Sequence, residues 1–299
     1  MSPKTIKLLG IQAGRGAARP GAEDGPYVLR ERGLVQQLVR AGYSVEDLGD
    51  IPGEFETRFA TAPPGPVNHL RSVLQVNRHT HACVLGTRRK APGAFLLVVG
   101  GDHSLAIGTL AGLSDACRRL GLIWIDAHAD FNDPATSPSG NIHGMSLAVA
   151  CGNGHRDLLL ISDYNPMVEE QDVYLLGPRI VDEGERQNLA ASRVHLLSTD
   201  EWRARGIVDA ALGAARDLAE RCDHLHLSFD VDVLDPPFVP GTGTPVPGGI
   251  TAEEAGALLG ALATQGLIGS AEFVEYNPGL DPDGRTGGLV LELIAALLA

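Results

Sequence analysis

The stretch GLIWIDAHAD, residues 121–130, joins an apolar run to three polar side chains. Asp126, His128 and Asp130 follow the run at a spacing of two residues. In a β-strand, successive side chains point to opposite faces, so this spacing predicts that all three share one face. Two carboxylates and an imidazole would cost free energy there if they were buried and unpaired. The stretch therefore predicts either a polar strand end that emerges into water or a metal site, and its own residues do not decide between them.

Other short apolar runs along the chain are also typical of strands, and their near-continuous Val, Leu and Ile content suits strands that are covered on both faces. The predicted strands are TIKLLGI (5–11), AFLLVVG (94–100), GLIWID (121–126), DVYLLG (172–177), LHLSFDVDVL (225–234) and SAEFVEY (270–276). Helices are predicted over 105–120, over 199–221, from Thr251 onward and over 287–299, and the Pro/Gly-rich residues 52–68 predict a loop. Strand and helix in alternation predict an α/β fold, in which a mostly parallel sheet carries helices on both faces.

The composition excludes several classes of function. With 299 residues, 44% of them hydrophobic, the chain can bury a sizeable core, and no composition break divides residues 1–299, so we predict one domain. A net charge of -13 argues against a nucleic-acid partner, because such binding depends on Lys and Arg that neutralise phosphates. No apolar run approaches the roughly 20 residues of a membrane span, and the four cysteines form no CxxC pair. We therefore expect reduced thiols, a cytoplasmic location and no membrane partner.

Polar side chains also follow three other predicted strands. They are His103 in GGDHS (100–104), Asp230 and Asp232 in SFDVDVLDP (228–236), and Glu275 in EFVEYNP (272–278). The carboxyl ends of parallel strands meet at one edge of a sheet, so these groups and the DAHAD acids are expected to converge. Each alone could be a helix cap, a solvated strand end or half of an ion pair, but five convergent carboxylates repel one another without a counter-charge. Carboxylates mixed with two imidazoles suit a borderline-hard ion such as Mn²⁺, so the sequence predicts a two-metal site.

The motifs GGDHS, DAHAD, SFDVDVLDP and GTGTPVPGG (241–249) stand in the order found in the arginase–agmatinase family, the ureohydrolases, which the chain resembles from about residue 8 to its end. The segment GAEDGPYVLRERGL (21–34) belongs to the same resemblance. The resemblance implies a three-layer α/β/α fold with a mostly parallel sheet of about eight strands, two Mn²⁺ ions per subunit, and a homo-oligomer, either a trimer or a hexamer. It assigns one ion to His103, Asp126, Asp130 and Asp230, and the other to Asp126, His128, Asp230 and Asp232, with Asp126 and Asp230 as bridges.

The resemblance also implies a reaction, the hydrolysis of a guanidino group by attack of a metal-bridged hydroxide. Two divalent ions lower the pKa of a bridging water, so hydroxide is available near neutral pH. Glu275 occupies the position at which the family pairs a carboxylate with the guanidinium NH groups, a charge-assisted contact. His143, in SGNIHGM (139–145), occupies the position of the proton shuttle, and the alternative for it is a loop histidine without chemistry. Together with Asp130, these residues form the predicted catalytic set.

The family divides by substrate, and two segments, together with the VEYNP form around Glu275 and with Val246 in GTGTPVPGG, favour the arginase branch. The loop FNDPATSPSGN (131–141) resembles the arginase loop that contacts the α-carboxylate, and its predicted substrate contacts are Asn132, Ser137, Ser139 and Asn141. The segment GPRIVDEGE (177–185) resembles the one that reaches the α-amino group, through Asp182 and Glu185. The alternative for these two acids is an acidic first turn that stabilises the following helix through its dipole. Ile180, where many arginases carry Asp, and segment 12–20 depart from the family pattern.

We therefore predict a binuclear manganese hydrolase that converts L-arginine into L-ornithine and urea. An agmatinase or another guanidino-acid hydrolase, such as a guanidinobutyrase or a formimidoylglutamase-like enzyme, is the alternative within the same chemistry. A two-metal phosphoesterase is disfavoured because GGDHS precedes DAHAD, the reverse of the order that its motifs would take. A metal-stabilised scaffold without catalysis is disfavoured because neither His143 nor Glu275 is needed for metal binding.

Overall fold

The computed structural model describes residues 4–53 and 67–299, and its centre is one sheet of eight strands that all run parallel. The strands, β1 to β8 in chain order, are Thr5–Ile11, Ser44–Ile51, Phe95–Gly100, Leu120–Ile125, Val173–Leu176, His195–Leu197, His224–Asp230 and Ser270–Val274. Their order across the sheet is β2-β1-β3-β8-β7-β4-β5-β6. The predicted parallel sheet of about eight strands is confirmed. Of the predicted loop 52–68, residues 54–66 lie outside the described residues.

The central strands β3, β8, β7 and β4 are almost entirely buried, as their apolar sequences require. A parallel strand in the middle of a sheet is covered on both faces, so it needs apolar residues at nearly every position. The sequence does not predict β2 and β6, which form the two edges. Strand β2 is largely exposed and carries acidic residues, and β6 is only three residues long. An edge strand pairs on one side only and tolerates charge, so its pattern is weak.

The helices of the described chain lie between the strands in sequence. They are α1 to α11, with bounds Gly25–Glu31, Leu34–Arg40, Leu70–Lys90, Ala106–Ser114, Ser146–Ala150, Arg156–Leu159, Glu183–Ala191, Thr199–Arg205, Ile207–Ala219, Ala252–Gln265 and Arg285–Leu297. The predicted helix 105–120 ends early, at Ser114. The predicted helix 199–221 is two helices, because Gly206 between them has a φ of 82°, outside the helical range. Helix α3 was not singled out by the sequence.

Two apolar layers, one on each face of the sheet, make the fold three layers deep. Alternate side chains of β4 serve opposite layers: Ile123 and Ile125 pack with residues of α1, α2, α9, α10 and α11, whereas Leu122 and Trp124 pack with residues of α3, α4 and α5. The predicted α/β/α architecture is therefore confirmed. Among the described residues, no helix combines the length and the apolar character that crossing a membrane requires.

Candidate metal centre

Asp126, His128 and Asp130 lie in the loop that follows β4, which ends at Ile125. The prediction that they share one face of a strand is therefore wrong. The loop turns at once, because Asp126 Oδ1 accepts a hydrogen bond from the backbone N–H of His128 at 2.7 Å. Asp130 has a left-handed backbone, with a φ of 51°, and its carbonyl oxygen accepts two backbone N–H groups of α5. A tight turn, rather than the pleat of a strand, places the three side chains.

The loop after β7 makes a similar turn. Asp230 is the last residue of β7, and its Oδ1 accepts the backbone N–H of Asp232 at 2.8 Å, at the start of the 3-10 turn Val231–Val233. The hydroxyl of Thr244 donates to Asp232 Oδ2 at 2.8 Å. Asp126 and Asp230 thus each use one carboxylate oxygen to shape their own loop and direct the other, Oδ2, toward His103.

His103 brings the third strand end to the same place. It begins the 3-10 turn His103–Leu105 after β3, where Asp102 accepts the N–H of Ser104 as the N-cap. His103 Nδ1 lies 3.1 Å from Asp126 Oδ2. It lies 3.2 Å from Oδ2 of Asp130 and 3.2 Å from Oδ2 of Asp230. One imidazole nitrogen is therefore in contact with three carboxylates from two loops.

A second group of ligand-type atoms forms around His128. Its Nδ1 lies 3.1 Å from Asp232 Oδ2 and 3.5 Å from Asp126 Oδ1. Two sets of residues have ligand atoms that all lie within 4.8 Å of one another: the first is His103, Asp126 and Asp230, and the second is Asp126, His128 and Asp232. Asp126 belongs to both sets, as a bridging residue would. Asp230 belongs to the first set alone, so this geometry does not reproduce its predicted bridging position.

The charges of this cluster are not balanced by the chain. Burial, together with the neighbouring acids, raises the pKa of Asp130 and of Asp230 well above the usual range. Burial opposes ionisation of Asp126 as well, yet its close contacts with the imidazoles of His103 and His128 hold its pKa well below the usual range. Burial alone would lower the pKa of His103, but the nearby acids raise it to about 9. Without an added cation, the cluster is stable only if protons neutralise some of its acids.

The hydrogen bonds of His103 show which of its ring nitrogens faces the acids. The hydroxyl of Ser228 donates to Glu272 Oε1 at 2.8 Å, so its oxygen accepts from His103 Nε2–H, also at 2.8 Å. In a neutral ring, Nδ1 then carries no hydrogen, and its lone pair faces the acceptor oxygens of the surrounding carboxylates. It is a buried atom without a hydrogen-bond partner among the described residues. A lone pair surrounded by acceptors fits a cation, so the residues present fit a metal ion.

Glu275 and His143 form a pair at the margin of this cluster. Glu275 follows β8 with a φ of 64° and is buried. Its Oε1 accepts the backbone N–H of His103 at 2.9 Å and lies 3.0 Å from His143 Nδ1. Burial opposes the ionisation of Glu275, but His143 holds its pKa below the usual value. Burial likewise opposes the charged form of His143, but Glu275 raises its pKa. Two of the three residues predicted for catalysis are therefore in direct contact.

The predicted substrate loop 131–141 is shaped by its own side chains. The Ser137 hydroxyl oxygen accepts the N–H of Gly140 at 3.0 Å, and that of Ser139 accepts the N–H of Asn141 at 3.2 Å. Asn141 Oδ1 accepts from the amide of Asn68 at 2.9 Å. These contacts hold the loop in one conformation beside the cluster.

Asp182 and Glu185 form a capping box at the start of α7. Glu185 Oε2 accepts the N–H of Asp182 at 3.1 Å, and its Oε1 accepts the N–H of Phe131 at 2.7 Å. Burial raises the pKa of Glu185 to about 7. Asp182 Oδ2 accepts from the amide of Asn132 at 3.0 Å. Helix α7 is thus tied to the substrate loop, and both oxygens of Glu185 are already used by backbone groups.

Sequence reasoning missed Arg179. Its guanidinium group donates to four backbone carbonyl oxygens, those of Asp232, Val233, Leu234 and Val246. Its own backbone N–H donates to Ala127 in the loop after β4. Arg179 therefore connects the two loops that carry the acids. Because it binds carbonyl oxygens, which every residue has, no pattern of side chains in the sequence could reveal this role.

The fold and the cluster together define an α/β protein with a candidate centre for two metal ions. Its relatives identify it further. The chain belongs to the arginase family, whose family model matches residues 4–299.

The relatives resemble the chain over nearly its whole length. The arginase of Bacillus caldovelox is 40% identical over 294 residues, which cover 98% of each chain. The arginase of Bacillus subtilis (strain 168) is 42% identical over 295 residues, which cover 99% of this chain and 98% of its own. A crystal structure of arginase from Bacillus subtilis has a TM-score of 0.91 and 42% identity, and the match covers 99% of this chain and 98% of that one. The comparisons confirm the predicted family and the enzyme class that it implies.

Proposed function

We propose that the protein hydrolyses the guanidino group of L-arginine to give L-ornithine and urea. The observation that carries the proposal is the contact of Glu275 with both His143 and the backbone of His103, because it joins a carboxylate and a proton donor to the edge of the acidic cluster. Relatives that are 40% and 42% identical over nearly the whole chain are named arginases, which supports the same reaction.

We further propose that the cluster holds two Mn²⁺ ions. His103, Asp126, Asp130 and Asp230 would hold one, and Asp126, His128, Asp230 and Asp232 the other. A set of carboxylates and imidazoles without thiolates suits Mn²⁺ better than softer ions, and the shared position of Asp126 supports a bridge. Two such Mn²⁺ ions, when bound, would lower the pKa of a water molecule at the site and so supply hydroxide near neutral pH.

Glu275 would hold the guanidinium group through its second oxygen. Its Oε1 already has two donors, the backbone N–H of His103 and the ring of His143. Its Oε2 faces Gly243, where even an added Cβ would lie 3.9 Å away, so the absence of a side chain leaves room on that side. A planar guanidinium group that donates two N–H bonds to a carboxylate is held in a fixed orientation, with its central carbon presented to the cluster.

His143 would deliver the proton that the departing amine requires. Its Nδ1 is held by Glu275, so Nε2 is the ring atom available to carry that proton. The raised pKa of His143 favours the protonated ring near neutral pH, as a general acid requires. The contact with Glu275 also fixes the ring beside the bound guanidinium group.

We retain Asp182 as the contact to the α-ammonium group of arginine and Asn132, Ser137, Ser139 and Asn141 as contacts to its α-carboxylate. Glu185 was predicted to meet the α-ammonium group as well. The use of both its oxygens by Asp182 and Phe131 favours a holding role instead, in which it positions the substrate loop against α7.

The assay that tests the substrate measures urea release after incubation with Mn²⁺, using L-arginine, agmatine and 4-guanidinobutyrate in parallel. We expect L-arginine to have the highest kcat/KM, because the other two compounds lack either the α-carboxylate or the α-ammonium group. Turnover of agmatine without turnover of L-arginine would replace this proposal with an agmatinase.

Four further predictions accompany the proposed function. We infer that residues 1–299 form a single catalytic domain, that the protein works in the cytoplasm, and that its partner is a small guanidino substrate rather than nucleic acid or membrane. We also infer a homo-oligomer, a trimer or a hexamer, and light scattering of the purified protein measures this state directly.

A further inference from the structure

Five polar side chains form a column inside an otherwise apolar layer of the molecule. The polar column consists of His224, His226 and Ser228 on β7 and Ser270 and Glu272 on β8, where His226 pairs with Ser270 and Ser228 with Glu272. Alternate residues of a strand share one face, so all five point to the same side of the sheet. His224 is 7% exposed and the other four are fully buried. Their neighbours on β3 and β4 are apolar, including Leu96, Val98, Leu122 and Trp124.

The hydrogen bonds of the column have a direction, which starts at Arg88 in the last turn of α3. Arg88 can only donate, so His224 Nδ1, at 3.3 Å, accepts. His224 Nε2–H then donates to Ser270 Oγ at 2.8 Å, and the Ser270 hydroxyl donates to His226 Nδ1 at 2.8 Å. Burial, followed by the charge of Arg88, lowers the pKa of His224 to about 3, which agrees with a neutral ring.

The hydrogen bonds that start at Arg88 end at His226. The remaining ring hydrogen of His226, on Nε2, faces Glu272 Oε1 at 3.6 Å, which is an electrostatic contact, and Nε2 has no hydrogen-bond partner among the described residues. From the other side, His103 Nε2–H donates to Ser228, which donates to the same Glu272 Oε1. One buried carboxylate oxygen therefore accepts a hydrogen bond from Ser228 and lies in electrostatic contact with His226. The second oxygen, Oε2, has no hydrogen-bond partner among the described residues.

Stability does not explain a carboxylate at this position. Burying a charged group costs several kcal/mol, and well-packed apolar residues in place of a buried charged pair are often neutral or stabilising. Burial opposes the ionisation of Glu272, yet His226, His103 and Ser228 together hold its pKa below the usual value. The column therefore maintains an anion in the apolar layer, and through Ser228 it contacts His103.

We propose that Glu272 is a positioning residue of the metal centre, acting through Ser228 on His103, and that His226, Ser270 and His224 hold Glu272 in place. As the acceptor for the Ser228 hydroxyl, Glu272 obliges the Ser228 oxygen to accept from His103 Nε2–H. This fixes the ring tautomer with a bare Nδ1 toward the acids, and the negative charge makes that nitrogen a stronger ligand. The inference rests on the proposed metal centre, and it concerns the ion on His103 more than the ion on His128.

The test compares Glu272→Met and Glu272→Gln with the wild type by calorimetric titration of Mn²⁺ into the metal-free protein and by electron paramagnetic resonance. Glu272→Met removes the acceptor, and we expect one of the two ions to bind about 10–100-fold more weakly. At limiting Mn²⁺ the spectrum should then be that of isolated ions instead of a coupled pair. Glu272→Gln keeps an acceptor oxygen without the charge, so its effect should be smaller.

Thr80→Val is the matched control. Thr80 is fully buried in α3, facing the same apolar layer, and its hydroxyl donates to the carbonyl of Val76 in its own helix. We expect this variant to bind both ions as the wild type does. Circular dichroism establishes that each variant is folded. If Glu272→Met does not fold, Ser270→Ala replaces it in the test. This variant interrupts the column beside Glu272, and we expect it to weaken the binding of one Mn²⁺ ion to a smaller extent.

The outcomes separate this inference from the proposed function. A wild-type protein that binds no Mn²⁺ contradicts the metal centre itself. A wild type that binds two ions, with a folded Glu272→Met variant whose two affinities and spectrum match those of Thr80→Val, overturns the role of Glu272 alone. For Ser270→Ala, unchanged binding of both ions would likewise overturn the role of the column.

Discussion

Buried acids of the described chain lie at both ends of the strands of the sheet, a single one, Asp172, at the amino ends (the amino edge) and a cluster at the carboxyl ends (the carboxyl edge), and the two are balanced in opposite ways. At the amino edge, Asp172 accepts from Arg119 Nε at 2.6 Å and from Arg221 Nε at 2.7 Å. Asp172 immediately precedes β5, Arg119 immediately precedes β4, and Arg221 lies shortly before β7. At the carboxyl edge, the ion-pair partners of the acids among the described residues are the imidazoles of His103, His128 and His143.

The difference shows how the source of the counter-charge separates a structural acid from a functional one. Any buried carboxylate needs compensation for lost hydration. Arginine is always charged and supplies that compensation permanently, so the Asp172 group needs no ligand. Imidazoles are neutral or charged according to pH, and their bare nitrogens are themselves ligands for metal ions. The carboxyl edge therefore offers ligands that could hold metal ions, in contrast to the Asp172 group.

The largest expected effect tests whether the carboxyl edge depends on metal. Asp126→Ala removes the residue common to both ligand sets, and we expect activity to fall by more than the roughly 100-fold that loss of an outer hydrogen-bond partner causes. Elemental analysis after dialysis against Mn²⁺ should show fewer than two ions per chain. A variant that still retains two ions would contradict the bridging role of Asp126.

His143→Ala separates catalysis from metal binding at the same edge. We expect turnover to fall by about 100-fold or more, because a positioned general acid typically contributes that factor, while two ions remain bound. Steady-state urea assays and metal analysis on the same preparation measure the two effects. Unchanged kcat across neutral pH would remove the proton-transfer role of His143.

Metal removal should affect only the carboxyl edge. With free Mn²⁺ at 100 times its dissociation constant, the free energy of unfolding should exceed that of the metal-free protein by about 2.7 kcal/mol for each site. Urea denaturation with Mn²⁺ and with chelator measures the difference, and Asp126→Ala should lose most of it. Equal denaturation midpoints in both conditions for the wild type would show that the folded chain binds Mn²⁺ no more tightly than the unfolded chain does.

Asp172→Asn tests the amino edge, where we expect a loss of stability without a loss of metal binding. It leaves Arg119 and Arg221 without their carboxylate, and because these arginines are partly exposed we expect a modest loss of about 1–3 kcal/mol of stability. Mn²⁺ stoichiometry should stay at the wild-type value. A loss of metal in this variant would mean that the two edges are coupled and would break the comparison.

Asp182→Ala should have the smallest effect and sharpens the substrate end of the carboxyl edge. We expect KM for L-arginine to rise by roughly tenfold, corresponding to about 1.4 kcal/mol, with little change for 4-guanidinobutyrate, which lacks the α-ammonium group that Asp182 is proposed to contact. The panel of guanidino compounds measures the split. Equal changes for both compounds would assign Asp182 to the capping of α7 alone.

The sequence predicted the central strands and the residue types at their ends, because both leave local patterns. It did not predict the turn that Asp126 makes with His128, since spacing of two residues describes a strand and a tight turn equally well. The capping box of Asp182 and Glu185 is a standard local motif, but the hydrogen bond that the Phe131 N–H donates to Glu185 joins residues 54 positions apart. The edge strand β2 carries too many charges to be recognised from apolar pattern.

The sequence by itself determined the α/β architecture, the arginase-family motifs and the set of acids and histidines at the strand ends, because apolar periodicity and residue type are properties of short segments. Only the tertiary structure decided which nitrogen of His103 faces the acids. That choice depends on a hydroxyl 125 residues further along the chain and on a carboxylate beyond it, at Glu272. Hydrogen-bond direction is passed between side chains through space, so it exists only once β7 and β8 lie side by side beneath the candidate metal centre.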